Sequence, residues 1–296
     1  MAALSPDALA RLARLRLKTR GVVEGLLSGQ HRSPHRGQSV EFAEHKDYSP
    51  GDEVRHIDWK AFGKFDRYFI KRYEQETNLS AYLVIDGSAS MAYGASESKF
   101  ERAEVLALGL ATVLAQQQDL VGLAIWAKGK LTSWPPHGSA AHVSALMEQL
   151  AAVQPAGPTD LGALSEALAE KLRRRSLVVV LSDLFDPQPG GLGRLLALRA
   201  RGHDLGLLHL LDRDELEFPF EDPTLFLAME DDRRLELDPR DLRRGYLEEF
   251  GRFLDQTLQL CRERDCDYQR ALSDQPAEAV LATWLAGRGR RRAGRR

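Results

Sequence analysis

Two apolar runs that end on aspartate constrain this chain more than any other feature. Ala81-Tyr82-Leu83-Val84-Ile85 runs straight into Asp86, and Leu177-Val178-Val179-Val180-Leu181-Ser182 runs into Asp183. Short continuous apolar runs read as strands buried on both faces of a sheet, whereas a half-exposed strand would alternate. If the two strands are parallel neighbours, Asp86 and Asp183 emerge at the same edge. The carboxyl edge of an open α/β sheet is where such folds place their ligands.

The residues after Asp86 add chemistry. Gly87-Ser88-Ala89-Ser90 completes an Asp-x-Ser-x-Ser pattern, which sets one carboxylate and two hydroxyls within reach of a single point. Hard-oxygen groups of this kind suit Mg²⁺. A polar turn closing a strand uses the same residue types, so this segment alone leaves both readings open. Further along, Thr159 and Asp160 stand in a loop bounded by the breakers Pro155, Gly157 and Pro158, with a helical pattern opening at Leu161. A helix begun there would leave Thr159 near both carboxylates.

Taken in order, Asp-x-Ser-x-Ser, a loop threonine and a strand-end aspartate resemble the metal-ion-dependent adhesion site of von Willebrand factor A domains. A second block lies upstream: Tyr48-Ser49-Pro50-Gly51-Asp52-Glu53-Val54-Arg55-His56-Ile57-Asp58-Trp59-Lys60. It resembles the signature of the bacterial family called domain of unknown function 58, a relative of von Willebrand factor A domains. Gly29-Gln30-His31-Arg32-Ser33, Gly37, Glu41-Phe42, Glu74-Gln75-Glu76 and Asp214-Glu215-Leu216-Glu217-Phe218-Pro219-Phe220 match it as well, as does the run from Asp238-Pro239 through Tyr246 to Trp284-Leu285-Ala286. The resemblance implies an α/β fold: a von Willebrand factor A-like, mostly parallel sheet with helices on both faces, preceded by a helical and irregular N-terminal arm. It implies Mg²⁺ or Mn²⁺ bound directly by Ser88, Ser90 and Thr159, with Asp86 and Asp183 binding directly or through water. It also implies a MoxR-type AAA+ ATPase as partner.

Composition agrees with a globular protein. The 296 residues are 43% hydrophobic and 28% charged, near ordinary globular values. The formal charge is −2, yet the last nine residues hold six arginines, which leaves −8 for the rest. A basic end without interleaved aromatics on an acidic body reads as a solvated tail rather than a nucleic-acid contact. No apolar run approaches the roughly 18 residues that span a bilayer, and the N-terminus has no signal-peptide core, so a cytoplasmic protein is expected. Five basic residues between Arg11 and Arg20 leave peripheral membrane contact open; packing against its own domain with the charges solvated is the commoner use of such a helix. Cys261 and Cys266, five apart in a helical stretch, are expected as free thiols on different helix faces.

Periodicity suggests three parts: a helix and signature arm over 1–78, the sheet domain over 79–287, and the basic tail over 288–296. Within the arm, Trp59 and Ile57 read as buried anchors, with Arg55 pairing to Asp52 or Asp58. After the first apolar strand we expect a helix over 100–117 and an antiparallel hairpin over 120–134. Helices over 139–152 and 161–174, a helix over 193–200 and a strand over 205–211 follow. A small hairpin over 223–237 precedes a long helix capped by Asp238, with Leu242, Tyr246, Phe250, Phe253 and Leu258 inward. A strand over 268–272 and a helix over 276–286 close the domain.

Other chemistries fit less well. Gly190-Gly191-Leu192-Gly193 lacks the spacing of a nucleotide loop. His31 and His35 are separated by Pro34, which prevents the helix that would bring them onto one metal. Gly87-Ser88-Ala89-Ser90-Met91 is not a nucleophile elbow, and Ser88 stands where an Asp-x-Asp phosphatase needs its acid. Two function classes remain: a metal-dependent protein-binding module whose ion engages an acidic side chain of a client, or a metal-dependent hydrolase of phosphoesters. The hydrolase needs an acid or base beside the ion, and no histidine lies near Asp86, Thr159 or Asp183 in sequence.

Overall fold

The fold is seen in a computed structural model that describes residues 6–30, 42–47, 68–73, 79–172, 175–230 and 233–293. The chain divides into two compact units, one formed by residues 1–28 and 79–296, the other by 29–78. In the smaller unit, β1 (Phe42–Asp47) pairs antiparallel with β2 (Phe69–Tyr73). β1 was not expected, because Phe-Ala-Glu-His-Lys-Asp lacks the apolar alternation by which a strand is recognised. The Gly51-to-Trp59 block and its expected anchors lie outside the described residues.

The larger unit is built on β3 (Ser80–Asp86), whose residues 81–86 are all buried. It pairs in parallel with β4 (Leu120–Ala127) on one side and β6 (Leu177–Ser182) on the other. β6 pairs with β7 (Asp204–Leu211), and β7 with β10 (Asp267–Leu272), again in parallel. β5 (Lys130–His137) is the antiparallel edge, joined to β4 through Lys128 and Gly129, both at positive φ as a tight hairpin turn requires. Its Pro135 and Pro136 suit an edge position, since neither donates to a ladder. The order is therefore β10-β7-β6-β3-β4-β5, and the chain leaves β3 and β6 in opposite directions across the sheet. The crevice outside their carboxyl ends is the switch point of this fold.

Continuous apolar strands need cover on both faces. One layer contains α1 (Pro6–Gln30), α2 (Lys99–Gln116), α3 (Ala140–Ala151) and α8 (Ala277–Ala293), packed on Leu83, Ile85, Leu123 and Leu210. The other contains α4 (Leu161–Lys171), α5 (Gly191–Leu196) and α7 (Pro239–Glu263), packed on Tyr82, Val84, Val178 and Val180. A short helix, α6 (Arg213–Glu217), and the ribbon of β8 (Thr224–Leu227) and β9 (Arg234–Leu237) follow β7. This is the expected von Willebrand factor A-like sheet. Among the described residues, no helix is long and apolar enough to cross a membrane.

Several local expectations are corrected. The N-terminal helix groups with the sheet rather than with the arm: Leu12, Leu15, Val22 and Leu26 join its core, and Arg11 and Lys18 pair with Glu104 and Glu97. α8 runs past residue 287 into the arginine-rich end. Arg288 lies over the Trp284 ring and bonds Asp267 at 2.6 Å, so the basic stretch begins as packed helix. On α7, Leu242 is exposed, and the buried stripe runs through Phe250, Leu254, Thr257 and Cys261. Cys266 sits beyond the helix end; neither thiol is in a disulfide, and both share one apolar cluster.

Glu104 shows what such packing does to a charge. It is 2% exposed, and Arg11 Nη2 donates to it at 2.7 Å. Burial pushes its carboxyl up to about 7, against the opposing pull of Arg11. An acid raised on folding stabilises fully below its unfolded value near 4.5, and the contribution is lost as pH rises through the folded value. We expect the unfolding free energy to fall by about 3 kcal/mol between pH 5 and 8 from this group. Urea titrations at several pH values should show that slope in the wild type and a flatter one in Glu104→Gln.

Candidate metal centre

The three oxygen-bearing segments meet at the switch point. Asp86 is the last residue of β3, and Ser88 and Ser90 lie on the turn that follows, with hydroxyl oxygens 3.1 Å apart. The Asp86 carboxylate is fixed at both oxygens: the Ser88 amide donates to Oδ1 at 2.9 Å, and Ser182 Oγ, from the end of β6, donates to Oδ2 at 2.6 Å. The threonine loop is sewn onto this turn by backbone. The Ala156 amide donates to the Gly87 carbonyl at 2.8 Å, and the Ala89 amide returns a bond to the Gly157 carbonyl at 2.9 Å. Trp126 Nε1 adds a bond to the Pro158 carbonyl at 3.3 Å.

Two glycines make that approach possible. A Cβ on Gly157 would lie 2.7 Å from the Lys128 Cα, and its φ is +86°, so both space and conformation require glycine. At Gly87 a Cβ would sit 2.9 Å from the Trp126 carbonyl oxygen. Thr159, two residues beyond this junction, is buried, and Asp160 caps α4 through the Ala163 amide.

Charge at the site is concentrated and poorly solvated. Burial first, and then the neighbouring Asp183 charge, push the Asp86 carboxyl up to about 6. Asp183 is fully buried, and both its oxygens are engaged: Oδ2 by Lys99 Nζ at 2.7 Å, Oδ1 by the Phe185 amide at 3.2 Å. It therefore enters the site as a charge beside Asp86 rather than as a free pair of lone pairs. Lys99, 1% exposed, also donates to Glu215 Oε1 at 2.6 Å and lies 5.0 Å from the Phe185 ring centroid. Burial alone would lower its ammonium; Asp183 and Glu215 outweigh that and hold it above its ordinary value. Leu184, next in the chain, takes φ +60°, a strained value for a γ-branched residue at the lip of the site.

Sequence placed Asp86 and Asp183 at strand ends and Ser88, Ser90 and Thr159 on loops; the structure joins the two loops by backbone bonds, and Ser182, next to Asp183, bonds Asp86. Four participants were missed. Lys99 opens α2, where a cation opposes the helix dipole; that misplacement was the available signal. Glu215 lies in the capping box of α6. Ser182 was read as strand. Glu230, in the β8–β9 turn, accepts the Thr159 hydroxyl at 2.7 Å and its amide at 3.0 Å, and nothing in its acidic surroundings set it apart. A histidine does reach the site from afar: His209 Nε2 lies 2.9 Å from the Asp183 carbonyl and Nδ1 2.7 Å from the Tyr268 hydroxyl. Burial lowers it to about 4, so it is a neutral ring with both nitrogens occupied.

The donors suit a hard divalent cation: two adjacent serine hydroxyls, a threonine hydroxyl and a carboxylate, with a second carboxylate behind. Among the described residues, no cluster of three or more His, Cys, Asp or Glu could hold a metal, as follows from a set dominated by hydroxyls.

Fold and site geometry together define a von Willebrand factor A-like domain with its oxygen-rich turn at the switch point. The chain belongs to the family described as protein of unknown function DUF58, whose model matches residues 44–252. It is 28% identical over 218 residues to the uncharacterized protein Rv1480 of Mycobacterium tuberculosis, covering 72% of this chain and 68% of that one. Among solved structures it is similar to the conserved hypothetical protein BatB of Bacteroides thetaiotaomicron (14% identity, 72% of this chain and 100% of that chain, TM-score 0.47). It is also similar to the SpRpn10 VWA domain (11% identity, 71% and 95%, TM-score 0.39).

Proposed function

We propose that this chain is a metal-dependent protein-binding module. Asp86, Ser88, Ser90 and Thr159 would hold Mg²⁺ or Mn²⁺, with Asp183 contributing charge or a water-mediated contact. Bound there, the ion supplies a positive Lewis-acid contact for a carboxylate of a client protein. A site made mostly of neutral hydroxyls under-neutralises a divalent cation, which favours recruiting an acid over activating a nucleophile. The observation that supports this reading is the pair of backbone bonds between residues 87–89 and 156–157, which joins the loop that carries Thr159 to the Asp-Ser-Ser turn.

A MoxR-type AAA+ ATPase remains the proposed partner on family resemblance, with a cytoplasmic setting as part of the same proposal. The hydrolase alternative loses support from His209, whose nitrogens are both engaged. Titration with Mn²⁺ by calorimetry tests the reading. Thr159→Ala should weaken Mn²⁺ binding at least about tenfold, since it deletes an oxygen donor without changing charge. Metal-dependent turnover of a phosphoester by the purified wild type, lost in Thr159→Ala, would instead establish the enzyme.

A further inference from the structure

Glu230 meets the site in an unusual way. Its carboxylate makes two bonds to one residue, Oε1 accepting the Thr159 hydroxyl and Oε2 the Thr159 amide. Among the described residues it forms no ion pair, although arginines crowd the hairpin strand that follows. A half-buried carboxylate normally takes a cation or several amide donors. This one spends its acceptor capacity on the very residue whose hydroxyl belongs to the oxygen set.

The segment that carries it is held at its base. Phe226 of β8 stacks on Phe218 at 5.8 Å and meets Phe220 edge-on at 5.4 Å. Beyond that aromatic anchor, Leu225, Leu227, Met229 and Leu235 are exposed. Between the hairpin and the sheet lies a cleft of roughly 570 Å³ whose lining includes Ser90, Pro158, Phe185, Met229, Glu230 and Phe253. An acid is thus delivered to the site from the β8–β9 hairpin, beside an apolar cleft.

Building on the metal-dependent reading above, we infer that Glu230 is an internal stand-in for the partner's acidic side chain, and that the β8–β9 hairpin is a latch the partner must displace. A tethered carboxylate competes at an effective concentration in the millimolar range. A free ligand offering one carboxylate therefore binds weakly until the latch is removed. The cleft favours an acid flanked by apolar side chains, because Phe185, Met229 and Phe253 border it.

The test uses the full chain and a capped five-residue peptide carrying one glutamate between two leucines, with its glutamine counterpart as control. Mn²⁺ affinity is measured first for wild type, Glu230→Ala and Glu230→Gln; peptide affinity is then measured at saturating Mn²⁺. We expect the glutamate peptide to bind both variants at least about tenfold more tightly than wild type. The glutamine peptide should gain nothing, and adding Thr159→Ala to Glu230→Ala should abolish the gain. Mn²⁺ binding with equal peptide affinities across the three proteins overturns the latch and leaves the metal reading standing. Failure of every protein to bind Mn²⁺ overturns the metal reading and the latch with it.

Discussion

Replacing Lys99 by methionine should lower the unfolding free energy by about 3–5 kcal/mol, the range found when one member of a buried ion pair is removed. Its ammonium lies between Asp183 and Glu215, at 2.7 and 2.6 Å, with almost no exposure. Methionine preserves the stem and the contact with Phe185 but strands two carboxylates near a third, Asp86. Urea unfolding at pH 7.5 measures the loss. Adding Asp183→Asn to Lys99→Met should recover part of it, because the double variant strands one charge fewer. A shift below about 1 kcal/mol for Lys99→Met would mean that the pair is far better solvated than its burial indicates.

Asp86→Asn should reverse sign with metal. Without a divalent ion, the variant should be more stable than wild type by about 3 kcal/mol, since it removes a charge buried beside Asp183. The bonds with Ser88 and Ser182 survive in an amide, whose nitrogen donates to the serine hydroxyl. With Mn²⁺ at a thousand times its dissociation constant, wild type gains about 4.1 kcal/mol from linkage and the variant gains nothing. The two melting curves should therefore exchange order on adding Mn²⁺. A variant less stable than wild type under both conditions would make Asp86 a structural residue.

The sheet was legible because its central strands are unbroken apolar runs, a pattern that only double-sided burial explains. The Asp-Ser-Ser turn and Thr159 were legible because each sits where a strand or loop meets a helix start. Lys99 was not, since its partners stand 84 and 116 positions away and only tertiary packing unites them. Glu230 was hidden among Asp231, Asp232 and two arginines, where one acid looks like the next. The arginine-rich end resembled a solvated tail by charge alone, yet the Arg288 guanidinium lies over the Trp284 ring, a cation–π contact that only the folded chain assembles. Asp214 to Phe220 matched the family without an evident purpose. Within it, Glu215 holds Lys99, and Phe218 and Phe220 anchor the hairpin that carries Glu230.

The twin prolines of β5 decide how other chains approach. A sheet border normally invites a foreign strand, because its free amides and carbonyls form a ready template. Along β5 two consecutive positions lack an amide donor, so the ladder that a foreign strand could form there is broken. Lengthening the sheet on that flank is thereby discouraged, both for partners and for copies of the chain itself. Under the reading proposed above, a client met at the rim where β3 and β6 end would be gripped by single side chains rather than by a shared ladder.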